Sequence, residues 1–156
     1  MDDAALPAHE ILLRWWWSTQ AGIDTRLIPL AEIDLLEKRY GVRFPASFQA
    51  YLHSASPVSD PSWDNELTNW WPFESIKSVA DHHGRPLAGA IAGYEDKLIL
   101  FADFSIWCWG WAVDCAPGAD YGKIMVIGDD ERYVADSFDE FVIAYTRDWV
   151  SVAPQG

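Results

Sequence analysis

Basic residues are scarce in this chain of 156. Eleven lysines and arginines stand against 24 aspartates and glutamates, giving a formal net charge of −13 at pH 7. Such a field repels phosphate backbones, and no basic stripe offers the counterion release on which nucleic-acid affinity rests, so neither DNA nor RNA is expected as a direct partner. Cysteine is scarcer still. Cys108 and Cys115 are the only two, too few for the disulfide framework of a small secreted domain and without a CxxC spacing or flanking histidines for zinc; both are expected as reduced thiols in a cytoplasmic protein. The opening MDDAALPAHE lacks the basic start of a signal peptide, and no apolar run nears the ~20 residues of a membrane span, so no membrane partner is expected.

Chemical motifs are missing as well. The chain has no GxSxG elbow, no phosphate-cradling glycine loop and no HExxH helix, the patterns that would announce hydrolytic or phosphoryl chemistry. It also lacks the DxDxDG spacing of a calcium loop. His82 and His83 adjoin, but consecutive side chains diverge and no further ligand follows at metal spacing. His9 and His53 are isolated. No catalytic residue, metal or cofactor is therefore assigned, and the protein is not expected to be an enzyme. A small-ligand site between the sheet and the loop at Trp63 stays open as a lesser alternative.

What the chain does have is aromatic and aliphatic bulk. Half its residues are hydrophobic, 15% are aromatic and 22% are charged, a globular composition whose length predicts a single domain over 1–156. Helical spacing of Leu12, Trp15, Trp16 and Thr19 predicts a helix from Pro7 to Gly22. A second runs through IPLAEIDLLEKRYG, with Ile33, Leu36 and Tyr40 on one face and Gly41 as a left-handed stop. A third follows Pro45, burying Phe48, Tyr51 and Leu52. The stretch SASPVSDPS, residues 54–62, reads as a surface loop, and Phe73, Ile76, Val79 and Ala80 repeat helically from Pro72 to His82. Beyond Tyr94 the period becomes extended. KLILFA, IWCWGWAV and KIMVIG predict three antiparallel strands, apolar on both faces and so covered on both. Ser137 and Glu140 form a capping box ahead of a helix carrying Phe138, Phe141, Val142, Tyr145 and Trp149. The fold class predicted is α+β: helices first, a twisted antiparallel sheet in the second half, and a C-terminal helix packed on it. No repeat or low-complexity segment interrupts this order.

Two features stand out as candidate contact surfaces. In WCWGW an extended backbone would point Trp107, Trp109 and Trp111 to one side and Cys108, Gly110 and Ala112 to the other. The bare side predicts close approach of the last helix, leaving the indoles beneath Trp70, Trp71 and the first helix as core, or open as a groove of the kind that makes binding hot spots. Acidic turns form the second feature: Asp64 with Glu66 beside Trp63, and Asp129, Asp130 and Glu131 after KIMVIG. Each is either solvated hairpin charge or a rim that steers a basic partner.

LAEIDLLEKRYGVRFPASFQAYL, then WWPFESIKSV, then LILFADF, and last a strand leading into ADSFDEFVIAYTRD resemble the SUKH superfamily of bacterial immunity proteins and a yeast cell-wall regulator. The resemblance runs from about Ile33 to Arg147, and its most specific part is Ile33, Leu36, Glu37, Gly41, Pro45, Phe48 and Leu52. This chain departs from the family pattern at HSASPV, where many members have an Asn-Gly turn, and after Asp103, where Ser105, Ile106 and Trp107 replace glycine and aspartate. The resemblance implies a non-catalytic immunity protein that sterically neutralises a cognate basic toxin such as a nuclease; the contact residues expected from the acidic turns and tryptophans themselves are Trp63, Asp64, Glu66, Asp103, Trp107, Trp109, Trp111, Asp129, Asp130 and Glu131. The alternative it implies is an intracellular regulatory or scaffold domain meeting a host protein or peptide through the aromatic groove.

Overall fold

A computed structural model describes residues 7–19, 23–83, 93, 95–128 and 131–154. In chain order its elements are α1 (Ala8–Ile11), β1 (Thr25–Arg26), α2 (Leu30–Tyr40), α3 (Ala46–Ala55), β2 (Ser56–Pro57), β3 (Thr68–Trp70), β4 (Lys77–Ser78), α4 (Val79–His83), β5 (Leu98–Phe104), β6 (Trp109–Asp114), β7 (Ile124–Ile127), β8 (Arg132–Ala135) and α5 (Phe138–Arg147). The architecture is α+β, as expected, with a six-stranded antiparallel sheet in the order β3-β5-β6-β7-β8 and β4 beside β3 on the same edge of β5.

Local signals explain the helices that match. Gly41 closes α2 at φ 64°, where a left-handed residue lets Val42 N–H return to the Glu37 carbonyl at 3.0 Å. The Glu37 carboxylate then accepts from Phe44 N–H at 2.6 Å and fixes the corner into α3. Phe48, Tyr51 and Leu52 are buried. Ser137 Oγ accepts from Glu140 N–H at 3.0 Å and starts α5, whose Phe138, Phe141, Val142 and Tyr145 are buried.

Elsewhere the chain corrects the expectation. The first helix is regular only over α1; Leu12–Trp16 widens into a π-helix and Trp17–Thr19 tightens into a 3-10 turn. Three consecutive tryptophans cannot share one face of an α-helix, and the wider turn lets Trp16 and Trp17 both point inward while Trp15 stays 50% exposed. Its predicted stop, Gly22, lies outside the described residues. The supposed surface loop begins as the buried end of α3 and continues as β2, paired with β1 and buried at Ser56. The helix predicted from Pro72 divides into a 3-10 turn over Phe73–Ser75, then β4, then α4. Trp149 leaves the α5 stripe because Asp148 ends that helix and caps the next 3-10 turn, Trp149–Val152, through its own carboxylate.

The three predicted strand runs are β5, β6 and β7, and both their faces are buried. A bulge between Leu100 and Ala102 turns Phe101 and Ala102 to the same face. There Phe101 meets Phe48, Phe138 and Phe141 at 5.2–5.8 Å between ring centroids, so α3 and α5 close over one aromatic core. The amino-terminal segment joins them: Trp17 packs edge-on to Trp70 at 5.6 Å, and Ala8 N–H donates to Asp139 at 2.7 Å. On the opposite face α4 brings His82 against Trp107 at 4.2 Å and Trp71 at 5.9 Å.

Candidate functional site

WCWGW is not one strand. The backbone turns left-handed at Ser105, Ile106 and Trp107, with φ of 46°, 54° and 60°, and β6 begins only at Trp109. A left-handed conformation costs about 1–2 kcal/mol for each non-glycine residue, and a β-branched side chain such as Ile106 tolerates it worst. Three hydrogen bonds hold the turn regardless. Ser105 N–H donates to the Leu67 carbonyl at 2.9 Å, Trp107 N–H to Asp103 Oδ2 at 2.9 Å, and Cys108 N–H to the Phe104 carbonyl at 2.8 Å.

The turn separates the three indoles. Trp111 is 0% exposed on the α5 face, 5.4 Å from Phe141 and 5.9 Å from Tyr145, and donates to the Val152 carbonyl at 2.9 Å. Trp109 keeps the same face but lies at the sheet's end, stacked on Phe104 at 4.2 Å and 4°; Phe104 stacks in turn on Trp149 at 5.0 Å. Trp107 folds to the other side, over Gly110, where an added Cβ would meet its ring at 2.4 Å. Two expectations fall here. The indoles do not form one stripe, and α5 covers the indole face rather than the Cys108 side, because its own rings bury far more apolar area against aromatic neighbours than against glycine and alanine. Trp111 is core, not groove.

Two of the candidate acids are not free surface groups. Asp64 is 4% exposed. Its Oδ2 accepts from Trp16 Nε1 at 2.9 Å, Trp70 Nε1 at 3.0 Å and the Tyr145 hydroxyl at 2.6 Å, while Oδ1 accepts from the N–H groups of Glu66 and Thr68, both at 3.0 Å. A carboxylate so saturated with protein donors is satisfied in the interior, away from the exposed rim on which it was expected. Burial first, and then the Asp64 charge, push the Tyr145 phenol above its ordinary value. Asp103 is 7% exposed and accepts from Trp71 Nε1 at 2.6 Å, Asn69 Nδ2 at 3.3 Å and Trp107 N–H at 2.9 Å. It is a structural acid at the edge of a cleft, not a freely solvated one.

The remaining candidates gather at one end of the sheet. Trp63 is half-buried and bridges to Asn69, while Glu66 stands half-buried in the β2–β3 turn. Gly128 carries the β7–β8 connection past Trp109, where a Cβ would lie 3.1 Å from the Trp109 Cβ, and Glu131 stands half-buried just beyond. Asp129 and Asp130 lie outside the described residues. Around the Phe104, Trp109 and Trp149 stack, the structure adds three apolar side chains the sequence reading missed: Leu67, Val150 and, 85% exposed, Ile106. Their only sequence signal was aliphatic bulk inside polar turns. The arrangement can bind; among the described residues no group of histidine, cysteine and carboxylates could hold a metal ion, and no helix is long and apolar enough to cross a membrane.

The model of the SMI1 / KNR4 family (SUKH-1) matches residues 28–144, which take in every element from α2 to β8 and most of α5. No curated protein matches the chain.

Proposed function

Because the chain belongs to the SMI1 / KNR4 family (SUKH-1), we propose that it is a non-catalytic binding protein of the immunity type, which captures a cognate basic toxin and blocks it sterically. The observation that carries this reading is the end of the sheet, where Ile106 is held out at 85% exposure by a left-handed turn that is tied to the Leu67 carbonyl through Ser105 N–H and follows Phe104 of a half-buried aromatic stack, with Leu67 and Val150 exposed as well. Backbone strain of this kind persists where the surroundings enforce it and marks functional positions. Aliphatic and aromatic groups supply the anchor; Glu66, Glu131 and the exposed Asp148 border it with negative charge. In a chain of net charge −13 this border raises the encounter rate with a cationic surface more than it raises affinity.

The test is co-purification with the product of the adjacent gene, followed by binding kinetics of variants. Replacing Ile106 by Ala is expected to weaken the complex by about 2 kcal/mol, roughly thirtyfold, through a faster off-rate. Glu66→Gln combined with Glu131→Gln is expected to slow association and flatten its dependence on salt. Full affinity in both variants would refute the site. A salt-insensitive partner that is no toxin and still needs Ile106 would favour the regulatory or scaffold reading, for which the open Phe104, Trp109 and Trp149 stack is the supporting observation.

A further inference from the structure

We propose that the cleft beside β3 and β4 is a receptor for a guanidinium group, the side chain of an arginine on the partner; this rests on the reading that the partner is a basic protein. The cleft has a volume of about 500 Å³, and Asp60, Asn69, Trp71, Ser75, Lys77 and Asp103 bound it. Asp60 and Asp103 converge on a single donor, Asn69 Nδ2, at 3.5 and 3.3 Å. Every other hydrogen bond they accept comes from a neutral group: Ser75 Oγ at 3.1 Å for Asp60, and Trp71 Nε1 and Trp107 N–H for Asp103. Among the described residues neither carboxylate is ion-paired. Two carboxylates are thus oriented by neutral donors beside a largely buried wall, where a cation on their cleft side gains more than it would in water.

The cleft's own cations do not fill that role. Arg39 is paired with Asp81 at 3.3 Å, outside the two carboxylates. Lys77 Nζ lies 5.8 Å from the centroid of the Trp71 ring, which shows that this indole face attracts positive charge. An ammonium is a point charge, whereas a guanidinium is flat, stacks on an indole and presents a fork of donors to two acceptors at once. Lys77 is therefore a resident competitor for the ring, and an arginine is the better guest. The site also adjoins the anchor: Asp103 accepts from Trp107 N–H, the residue after Ile106, so one partner surface reaches both.

The experiment follows the Trp71 indole N–H by NMR in the full chain while N-acetyl-arginine amide is added, with the citrulline analogue as the neutral isostere. A saturable shift with arginine and none with citrulline is expected. Lys77→Met should tighten binding several-fold by removing the competing charge, and Asp60→Asn, at an exposed position, should weaken it roughly tenfold, about 1.4 kcal/mol. Equal shifts from both compounds, no shift at all, or unchanged affinity in both variants would overturn the proposal. No toxin is in the tube, so the two readings fail separately. Capped arginine that binds where no basic partner is ever captured leaves the cleft and removes the immunity role. A captured toxin indifferent to Asp60→Asn, with no response to capped arginine, removes the cleft alone.

Discussion

On the face of the sheet beneath α5, Asp64 sits among Trp16, Trp70 and Tyr145 with its donors all drawn from the protein, whereas on the opposite face Asp103 holds Trp71 and the Trp107 backbone at the wall of an open cleft. The chemistry is the same in both places. A carboxylate collects N–H and O–H groups that apolar rings cannot satisfy for themselves, which lets Trp16, Trp70 and Trp71 be packed without orphaned donors. The difference is water. Where α5 excludes it, the carboxylate ties distant elements into a core; where the cleft admits it, the same device presents rings and charge to a visitor.

The comparison breaks most directly by deleting each acid. Asp64→Ala should cost about 3–5 kcal/mol in denaturant unfolding, since it strands several buried donors at once, while Asp103→Ala should cost about 1–3 kcal/mol because water can enter from the cleft. Equal losses would mean that the two faces are alike. Gly110→Ala is next: its Cβ would collide with the Trp107 ring at 2.4 Å and sit 3.2 Å from the Ala102 carbonyl, so a loss of about 1–3 kcal/mol is expected, with the indole displaced from Trp71 and His82 in the tryptophan fluorescence while the α5 face is unchanged. Ile106→Gly should instead raise stability by about 1 kcal/mol, because glycine accepts the left-handed turn, even as it removes the proposed anchor. A stability gain with a binding loss is the signature of strain kept for function.

The smallest effect concerns Tyr51, whose hydroxyl is buried with no hydrogen-bond partner among the described residues. Tyr51→Phe should be neutral or stabilising by up to about 1 kcal/mol at neutral pH. Burial raises the phenol pKa of Tyr51, and burial followed by the Asp64 charge raises that of Tyr145. In both the protonated form is favoured by the fold, so their contribution is complete below the ordinary phenol value of 10.0 and is lost as pH climbs past it. Unfolding midpoints should stay level through neutrality and fall above that point, less steeply in Tyr51→Phe. A fall that begins in mildly acidic solution would contradict this.

The legible parts of the fold were those specified by neighbours in sequence: the α2 to α3 corner at Gly41 and Pro45, the runs that became β5, β6 and β7, and the Ser137 start of α5. What escaped depends on distant partners. Asp64 reads as an acidic turn residue until Trp16 and Tyr145 arrive from opposite ends of the chain, and Trp107 reads as strand because no glycine announces the left-handed turn. Of the candidate site, Trp63, Glu66, Trp109 and Glu131 do come to one end of the sheet. Ile106, Leu67 and Val150 give no such signal, since a lone aliphatic in a turn carries no periodicity to betray it.

The Asp64 hub also sets where the molecule can be cut. The family match spans residues 28–144, yet two of the three side chains that donate to this carboxylate lie outside it, Trp16 well before its start and Tyr145 directly after its end. So does Val152, whose carbonyl receives the Trp111 indole. A fragment trimmed to those residues would leave Asp64, Trp70 and Trp111 without the lid that covers them, so it is expected to be less stable than a piece that keeps both flanks.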